Sequence, residues 1–504
     1  MNIEQQLSQL LSEGKTTELN WDRQNLESLP AGLTKLSTLR QLNLEANKLQ
    51  GLPDDFANLN NLEWLDLSDN QLDKIPASMA GLDKLRWLDL SANQFENLSS
   101  EIVSWTALER LDLKNNRIAS LPAGIGALKS LKKLLLEVNE LKTLPDEIGQ
   151  LTSLKRLDLS ENQLTGLPAS MAYLANLESI DLDDNPLTDL PEVLFLLPAL
   201  KELDLSNTGL TVLPDKLSAW SKLETLNLAV NELETLPNGI GELLSLQMLD
   251  VCNNKLKELP QSIAALKNLK RLNLEENPLA ALPEVVCQIS SLEELDLTAT
   301  GIEILPENIS NLTNLEWLDL SVNKISELPH AIGRLPKLLW LDLKENQLQN
   351  LGPNLSQLSS LRELYLSFNR LETVELNPVG LESLEILDLS FNRITQLGED
   401  FGGFANLIYL NLEENLLLML PDSIGNLSHL QEFDLSDNKL QDLPESFGKL
   451  ENLRSLDLRN NRFSEMPKAL EALSTTVQEL FISDNPLSDT AKQRIKELFK
   501  VIDL

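Results

Sequence analysis

The chain has 504 residues, of which 77 are Asp or Glu and 42 are Lys or Arg, so its formal net charge is −35. This excess of carboxylates disfavours binding to nucleic acid or to an anionic membrane surface, because both depend on Lys and Arg side chains. Two Cys and two His exclude a disulfide framework and leave little material for metal or acid–base chemistry. A hydrophobic fraction of 42% nevertheless predicts a folded chain.

Residues 1–15 are predicted to form an N-terminal capping helix, because Ile3, Leu7, Leu10 and Leu11 fall on one helical face. This segment lacks the basic start and the long apolar run of a secretory signal. No stretch of the chain approaches the roughly 18 apolar residues of a membrane span. We therefore expect a cytoplasmic protein without membrane insertion, and export by a leaderless route stays open.

An Asn recurs every 23 residues from Asn47 to Asn461. These equivalent positions, here called slots, number 19, and Asn fills 17 of them, with Thr208 and Thr300 in the other two. An imperfect turn precedes the first slot and another follows the last. The period predicts one repeat array of about 21 turns over residues 16–487, with no linker and no second domain.

Each turn reads LxxLxLxxNxLxxLPxxIxxLxx. The alternating Leu residues of LxLxxN predict a short strand with one face in the core. The second half of a turn has helical spacing, as in Leu52, Phe56 and Leu59, and Pro53 stands at its start. One turn cannot bury its Leu residues alone, but stacked turns can. The slot Asn should then be buried, and its side-chain amide should form hydrogen bonds with backbone groups of the adjacent bends.

This motif resembles that of the leucine-rich-repeat family, and its LP dipeptide and 23-residue length are similar to the intracellular class that includes Ras-group and Ras-binding scaffold proteins. The resemblance implies an α/β solenoid, a horseshoe with a parallel β-sheet on its concave side and short helices or 3₁₀ turns on its convex side. It further implies a scaffold that binds a protein partner, with a small GTPase or a phosphatase as candidates.

Residues 488–504 are predicted to form a C-terminal cap. Ser488 or Asp489 can begin a helix whose apolar residues extend to Ile502. Both ends of the array are therefore expected to be covered within this chain.

Catalytic and metal sites are not expected. His330 and His429 lie four turns, or about 19 Å, apart, and Cys252 and Cys287 are predicted to be free thiols on opposite sides of their turns. Asp stands four residues before the slot in 13 of the 19 turns, which predicts a solvated acidic face rather than a closed Ca²⁺ cage. We expect no catalytic residue, no cofactor and no metal; an enzyme that uses Cys252 is kept as an alternative.

Strand side chains that point away from the core lie six, four, two and one residues before each slot. Five successive turns carry, six residues before the slot, Trp64, Trp87, Arg110, Lys133 and Arg156. This stripe predicts a partner-binding surface, because Trp and Arg are enriched at binding hot spots. The alternative is that each Trp stacks on its neighbour and the charges alternate by chance.

A second partner-binding surface is predicted between residues 317 and 409. An apolar patch on an exposed face usually marks an interaction site, and the Pro of the LP motif is replaced here on three successive turns, by Gly352, Glu375 and Gly398. The alternative is drift after duplication, since NLEWLDLS occurs at 61–68 and at 314–321. The predicted contact residues are Trp317, Trp340, Tyr365, Phe368, Ile386, Phe391 and Tyr409.

The leading hypothesis is a non-catalytic intracellular scaffold that binds a folded protein on its concave face, in signalling. A secreted bacterial effector that engages a host protein is the alternative.

Overall fold

The computed structural model describes residues 3–500 and 502–504. This part of the chain contains 22 short strands, three α-helices and 19 3₁₀ helices, and the α-helices are α1 (Ile3–Glu13), α2 (Ala469–Leu473) and α3 (Asp489–Leu498). The chain divides into two compact units, one ending at Asp250 and the other beginning at Val251. Each unit is built from the same repeating turn.

In the first unit, every strand pairs in parallel with its sequence neighbour, and residues 23 apart face each other. The strands are β1 (Glu18–Asn20), β2 (Gln41–Asn43), β3 (Trp64–Asp66), β4 (Trp87–Asp89), β5 (Arg110–Asp112), β6 (Lys133–Leu135), β7 (Arg156–Asp158), β8 (Ser179–Asp181), β9 (Glu202–Asp204), β10 (Thr225–Asn227) and β11 (Met248–Asp250).

The second unit repeats this parallel pairing from β12 to β22. Its strands are β12 (Arg271–Asn273), β13 (Glu294–Asp296), β14 (Trp317–Asp319), β15 (Trp340–Asp342), β16 (Glu363–Tyr365), β17 (Ile386–Asp388), β18 (Tyr409–Asn411), β19 (Glu432–Asp434), β20 (Ser455–Asp457), β21 (Glu479–Phe481) and β22 (Ile502–Asp503).

The returning half of most turns is a 3₁₀ helix, as the i, i+4, i+7 spacing allowed. In the first unit these helices are Leu33–Lys35, Phe56–Asn58, Ala77–Gly81, Ser100–Ser104, Ala123–Ala127, Asp146–Gln150, Ala169–Tyr173, Glu192–Leu196, Leu217–Trp220 and Asn238–Glu242. In the second unit they are Gln261–Ala265, Val286–Gln288, Glu307–Asn311, His330–Arg334, Leu355–Gln357, Pro378–Gly380, Phe401–Gly403, Asp422–Asn426 and Glu445–Lys449.

The core of each unit lies between its strands and its 3₁₀ helices. The middle residue of a strand, such as Leu65, and the Leu two residues later are fully buried, as is the apolar residue of the 3₁₀ helix, such as Phe56. Larger side chains enter the core with their polar atoms paired, since Trp105 Nε1 donates to the carbonyl oxygen of Met79 at 2.9 Å. The predicted leucine-rich-repeat solenoid fold is confirmed for the repeats of both units.

The slot Asn residues are buried and form the predicted hydrogen-bond ladder. Asn70 Nδ2 donates to the carbonyl oxygens of Leu44 at 3.0 Å and Leu67 at 3.1 Å, while its Oδ1 accepts from the N–H of Leu49 at 3.0 Å. Thr208 replaces only part of this set, because its Oγ1 donates to its own turn. The preceding turn compensates locally, since the N–H of Leu187 bonds to the carbonyl oxygen of Asn185 at 2.8 Å.

The prediction that the Asp residues form a solvated acidic face is wrong for five of the 13, which are buried, while the other eight are partly exposed. Asp66 and Asp158 are only 8% and 3% exposed. The chain bends after each strand, so that the carboxylate turns back onto its own backbone: the N–H of Ser68 donates to Asp66 Oδ1 at 2.9 Å. Burial, with repulsion from neighbouring carboxylates, raises the pKa of Asp89 to about 6 and that of Asp181 to about 7.

At the N-terminal end, α1 buries Leu7, and Gln6 Oε1 accepts from Trp21 Nε1 at 3.0 Å. The predicted cap over residues 1–15 includes Met1 and Asn2, which lie outside the described residues.

At the C-terminal end, Ser488 caps α3, its Oγ accepting from the N–H of Ala491 at 3.2 Å. The prediction that this helix extends to Ile502 is wrong. The backbone is extended at Phe499, and Ile502 lies in β22, which pairs with β21. Without β22, the outer edge of β21 would present unpaired N–H and C=O groups, and β22 pairs with that edge. Val501 of the predicted cap lies outside the described residues.

Within the described ranges, no helix has the length and apolar character needed to cross a bilayer. The expectation of one uninterrupted array over residues 16–487 stays a prediction.

Candidate partner-binding surfaces

The open face of each unit is defined here as the sheet face that bears the side chains six, four, two and one residues before the slots. In the first unit, the register places Trp64 directly opposite Trp87 on the neighbouring strand. Their rings stack at 4.4 Å between centroids with 10° between planes. Arg110 continues the row, with its Cζ 5.7 Å from the centroid of the Trp87 ring. Stacking of each Trp on its neighbour is therefore observed.

The basic side chains of this first surface are largely engaged with carboxylates of their own face. Arg110 Nη2 lies 2.9 Å from Asp112 Oδ2, and Arg156 pairs less closely with the Asp of its own strand, at 3.6 Å. Lys133 differs because its strand carries Leu135 where its neighbours carry Asp. In the described part of the chain, no carboxylate pairs with Lys133, and its side chain is exposed.

In the second unit, Trp317 and Trp340 stack at 4.6 Å with 11° between planes. Tyr365 lies beside Trp340, at 5.6 Å between centroids, but its ring is tilted by 50°. Its hydroxyl donates to Glu363 Oε2 at 2.7 Å, which orients this carboxylate next to the Trp pair. Three predicted aromatic residues are therefore brought into one cluster.

Phe368 and Phe391 form a separate stacked pair, at 4.2 Å and 6°. Both have left-handed backbone conformations, with φ of 55° and 52°, a region in which Asn and Asp are several times more common than other side chains. Lys344 Nζ lies 5.6 Å from the centroid of the Phe368 ring. The remaining predicted residues, Ile386 and Tyr409, face each other on β17 and β18.

Carboxylates surround these aromatic side chains. Burial, with repulsion from Asp319 among its causes, raises the pKa of Asp342 to about 6. Burial also raises the pKa of Tyr409, with Asp388 adding to the effect. The second surface therefore combines large apolar rings with an excess of negative charge.

The structure gives the His and Cys residues local roles. His330 Nδ1 lies 2.7 Å from Asn354 Nδ2, and His429 Nδ1 donates to the carbonyl oxygen of Ala405 at 2.7 Å. Burial raises the pKa of the Cys287 thiol to about 12, and it is not in a disulfide. No group of three potential metal ligands occurs within residues 3–500 and 502–504.

One feature was missed by the sequence reasoning. A groove of about 840 Å³ lies beyond the strands' C-terminal ends, lined by residues 373–374, 395–399 and 418–422. Leu418 and Met419 are 53% and 70% exposed within it. The groove lies in turns where Glu375 and Gly398 replace the Pro of the LP motif, and this replacement is the sequence feature that could have predicted it. The sequence analysis assigned that replacement to a site on the open face, because the aromatic residues of the same turns lie on that face.

Comparison with family profiles shows matches along nearly the whole chain. A profile described as "Leucine-rich repeat region" matches residues 80–162, 215–301 and 382–504. One described as "Leucine rich repeat" matches residues 15–72, 37–95, 175–233, 290–348 and 313–371, and one described as "Leucine Rich repeats (2 copies)" matches residues 152–194. The chain belongs to the leucine-rich repeat family. Its members typically mediate protein–protein interaction and are typically non-catalytic. The narrower resemblance to the intracellular Ras-group class stays a prediction.

No curated protein matches this leucine-rich repeat chain. Among solved structures, it is similar to the plant peptide hormone receptor RGFR1 in complex with RGF2, with 29% identity over 94% of this chain and 84% of that one and a TM-score of 0.65. It is also similar to the Arabidopsis receptor kinase HAESA in complex with the peptide hormone IDA and the co-receptor SERK1, with 29% identity, coverage of 97% and 90%, and a TM-score of 0.60. A Leptospira interrogans leucine-rich repeat protein matches with 28% identity, coverage of 99% and 98%, and a TM-score of 0.49.

Proposed function

We propose that this leucine-rich repeat protein is a non-catalytic scaffold that holds a folded protein partner on the open face of its second unit. The carrying observation is the pair of aromatic clusters there, Trp317–Trp340–Tyr365 and Phe368–Phe391. Large rings on an exposed sheet face are typical of binding hot spots, because they bury much area with few rotamers to fix.

The exposure of Phe368 supports this proposal. A left-handed conformation costs a side chain other than Gly, Asn or Asp roughly 1–2 kcal/mol. Burial does not offset this cost, since Phe368 remains 44% exposed. The residue before the slot is left-handed in every turn, and other turns carry Ala92, Val138 or Glu161 there as well as Asp69 or Asn115. What distinguishes Phe368 is its exposed aromatic ring, which a partner would cover.

The test is capture of the partner from the native host by the full chain and by a variant with Trp317→Ala, Trp340→Ala and Phe391→Ala. We expect the variant to lose the captured protein while retaining its circular dichroism, because the three side chains lie outside the core. A matched control removes the stacked pair of the first unit with Trp64→Ala and Trp87→Ala. Undiminished capture by the triple variant would reject the second unit's open face as the site.

The setting is part of the proposal. Resemblance to Ras-group scaffolds suggests a signalling role in the cytoplasm, with a small GTPase or a phosphatase as partner. The buried free thiol of Cys287 is compatible with a reducing compartment. Cell fractionation, together with mass spectrometry of the captured protein, tests both points; an extracellular pool alone would reject the cytoplasmic assignment.

A further inference from the structure

The two units carry Trp pairs at equivalent positions of the repeat. Trp317 and Trp340 follow Trp64 and Trp87 by 253 residues, which is 11 turns of 23. Both pairs stack with nearly the same geometry, at 4.4 Å and 4.6 Å. The first unit therefore serves as an internal reference for the second.

The pairs differ in the residue that follows them on the next strand. In the first unit it is Arg110, which lies over Trp87 and forms an ion pair with Asp112. In the second unit the equivalent residue is Glu363, and the place of Asp112 is taken by Tyr365, whose hydroxyl donates to Glu363 at 2.7 Å. Two coordinated changes thus replace an internal cation by an oriented carboxylate.

Among the residues that the structure describes, the second Trp pair has no cation of its own. Other rings of the described chain have one nearby: Lys216 at Phe195, Lys344 at Phe368 and Arg459 at Phe481. Over the described ranges, no cation lies over Trp317 or Trp340, and no ammonium or guanidinium pairs with Glu363.

The carboxylate on the other side of the Trp pair is already engaged. Glu294 lies opposite Trp317 on the neighbouring strand, and its Oε2 is 3.0 Å from Arg271 Nε. In the row of residues six before the slots, Glu363 is therefore the carboxylate next to the Trp pair that forms no ion pair within the described ranges.

We propose that Trp340, Glu363 and Tyr365 form a recognition site for an arginine side chain of the protein partner. This inference rests on the proposed function. A π face and a carboxylate both attract a guanidinium, which can stack on a ring while donating to an oxygen. The rings of Trp340 and Tyr365 are tilted by 50° and therefore do not stack face to face, while the Tyr365 hydroxyl holds the Glu363 carboxylate at 2.7 Å.

The surrounding charge favours the same occupant. The open-face positions of β14–β18 carry seven carboxylates and one cation, Lys344. The equivalent positions of β3–β7 carry seven carboxylates and four cations. A basic surface segment is therefore complementary to the second unit, and charge of this kind governs orientation and specificity in association.

The test uses full-length protein labelled with 5-fluorotryptophan and followed by ¹⁹F NMR. The probe is N-acetyl-arginine methylamide, and N-acetyl-citrulline methylamide, which is nearly isosteric but neutral, is the control. We expect arginine to shift the Trp317 and Trp340 signals and citrulline to leave them unchanged. In Glu363→Arg, which recreates the arrangement of the first unit, the arginine affinity should fall about tenfold. The unchanged Trp64 and Trp87 signals report that the variant remains folded.

A graft provides the reciprocal test. Arg110→Glu with Asp112→Tyr transfers the second unit's pair of residues to the first, and the Trp64 and Trp87 signals should then respond to arginine. An equal response to citrulline, an unchanged affinity in Glu363→Arg, or a folded graft that does not respond would each overturn the inference.

The inference and the proposed function can fail separately. If Glu363→Arg captures the partner as the parent does while the Ala variant at Trp317, Trp340 and Phe391 does not, the arginine site is rejected and the scaffold function stands. If arginine binds at Trp340 but the Ala variant still captures the partner, the arginine-binding site stands, while its role in partner recognition and the proposed function are rejected.

Discussion

Removal of one slot Asn tests the hydrogen-bond ladder that holds the turns together. In Asn346→Ala, four contacts disappear: Nδ2 no longer donates to the carbonyl oxygens of Leu320, Leu343 and Lys344, and Oδ1 no longer accepts from the N–H of Ile325. Asn346 is 7% exposed, so water does not readily replace its amide.

The structure indicates how much stability is lost. The three carbonyl oxygens keep a second donor each. Asn323 donates to that of Leu320 at 3.0 Å, Asn369 to that of Leu343 at 2.8 Å, and the N–H of Val322 to that of Lys344 at 2.9 Å. The N–H of Ile325 has no other acceptor among the described residues. One buried donor is thus left unpaired, and we expect a local loss of about 2 kcal/mol, the cost of a single unsatisfied group.

Hydrogen exchange followed by mass spectrometry measures this loss locally, which matters because a repeat array need not unfold in a single step. Exchange of the Ile325 amide should become about 30-fold faster if opening free energy sets its rate. Asn350→Ala, four residues away and exposed, is the matched control and should leave that rate unchanged. A parental exchange rate for Ile325 in Asn346→Ala would refute the assignment of its hydrogen bond.

Three further predictions concern stability and reactivity. Burial raises the pKa of Asp181 to about 7, so the folded state binds this proton more tightly than the unfolded chain does, and the residue's contribution to stability falls as the pH rises toward 7. Asp181→Asn should therefore raise the urea midpoint of unfolding, and by more at pH 8 than at pH 5. An equal gain at both pH values would contradict this reasoning. Gly380→Ala places a Cβ against a carbonyl oxygen of the preceding turn and should lower the free energy of unfolding by about 1–3 kcal/mol. Gly166→Ala is the control, because its Cβ meets open space. Equal urea midpoints for the two variants would refute the clash. Because burial raises the pKa of Cys287 to about 12, iodoacetamide at pH 8 should modify Cys252 first, and mass spectrometry showing Cys287 modified at the same rate would contradict this order.

Much of the architecture follows from the repeat itself. The 23-residue period fixes which side chains stack, because a parallel in-register sheet aligns residues one period apart. The Leu pattern fixes which strand face is buried, and an amide at the slot is needed since the bends leave backbone groups unpaired. The rows of the two candidate surfaces, such as Trp64 beside Trp87, could therefore be assigned from residue numbers alone.

Other features depend on how neighbouring segments meet. The helical periodicity near the C-terminus did not reveal that Ile502 would join a strand, because that choice depends on the exposed edge of β21. The Asp residues before the slots read as surface charge in sequence, yet the bend after each strand buries carboxylates such as that of Asp66.

The sequence by itself determined the fold class, the register of the turns and the residues that share the open face. Only the tertiary structure decided which of those residues are available. Arg110 pairs with Asp112 and lies over Trp87, whereas Glu363 accepts from Tyr365 and, among the described residues, has no cation paired with it. The physical reason is that the repeat sets the position of each Cα atom, while pairing depends on side-chain direction and on the charge of the adjacent turn.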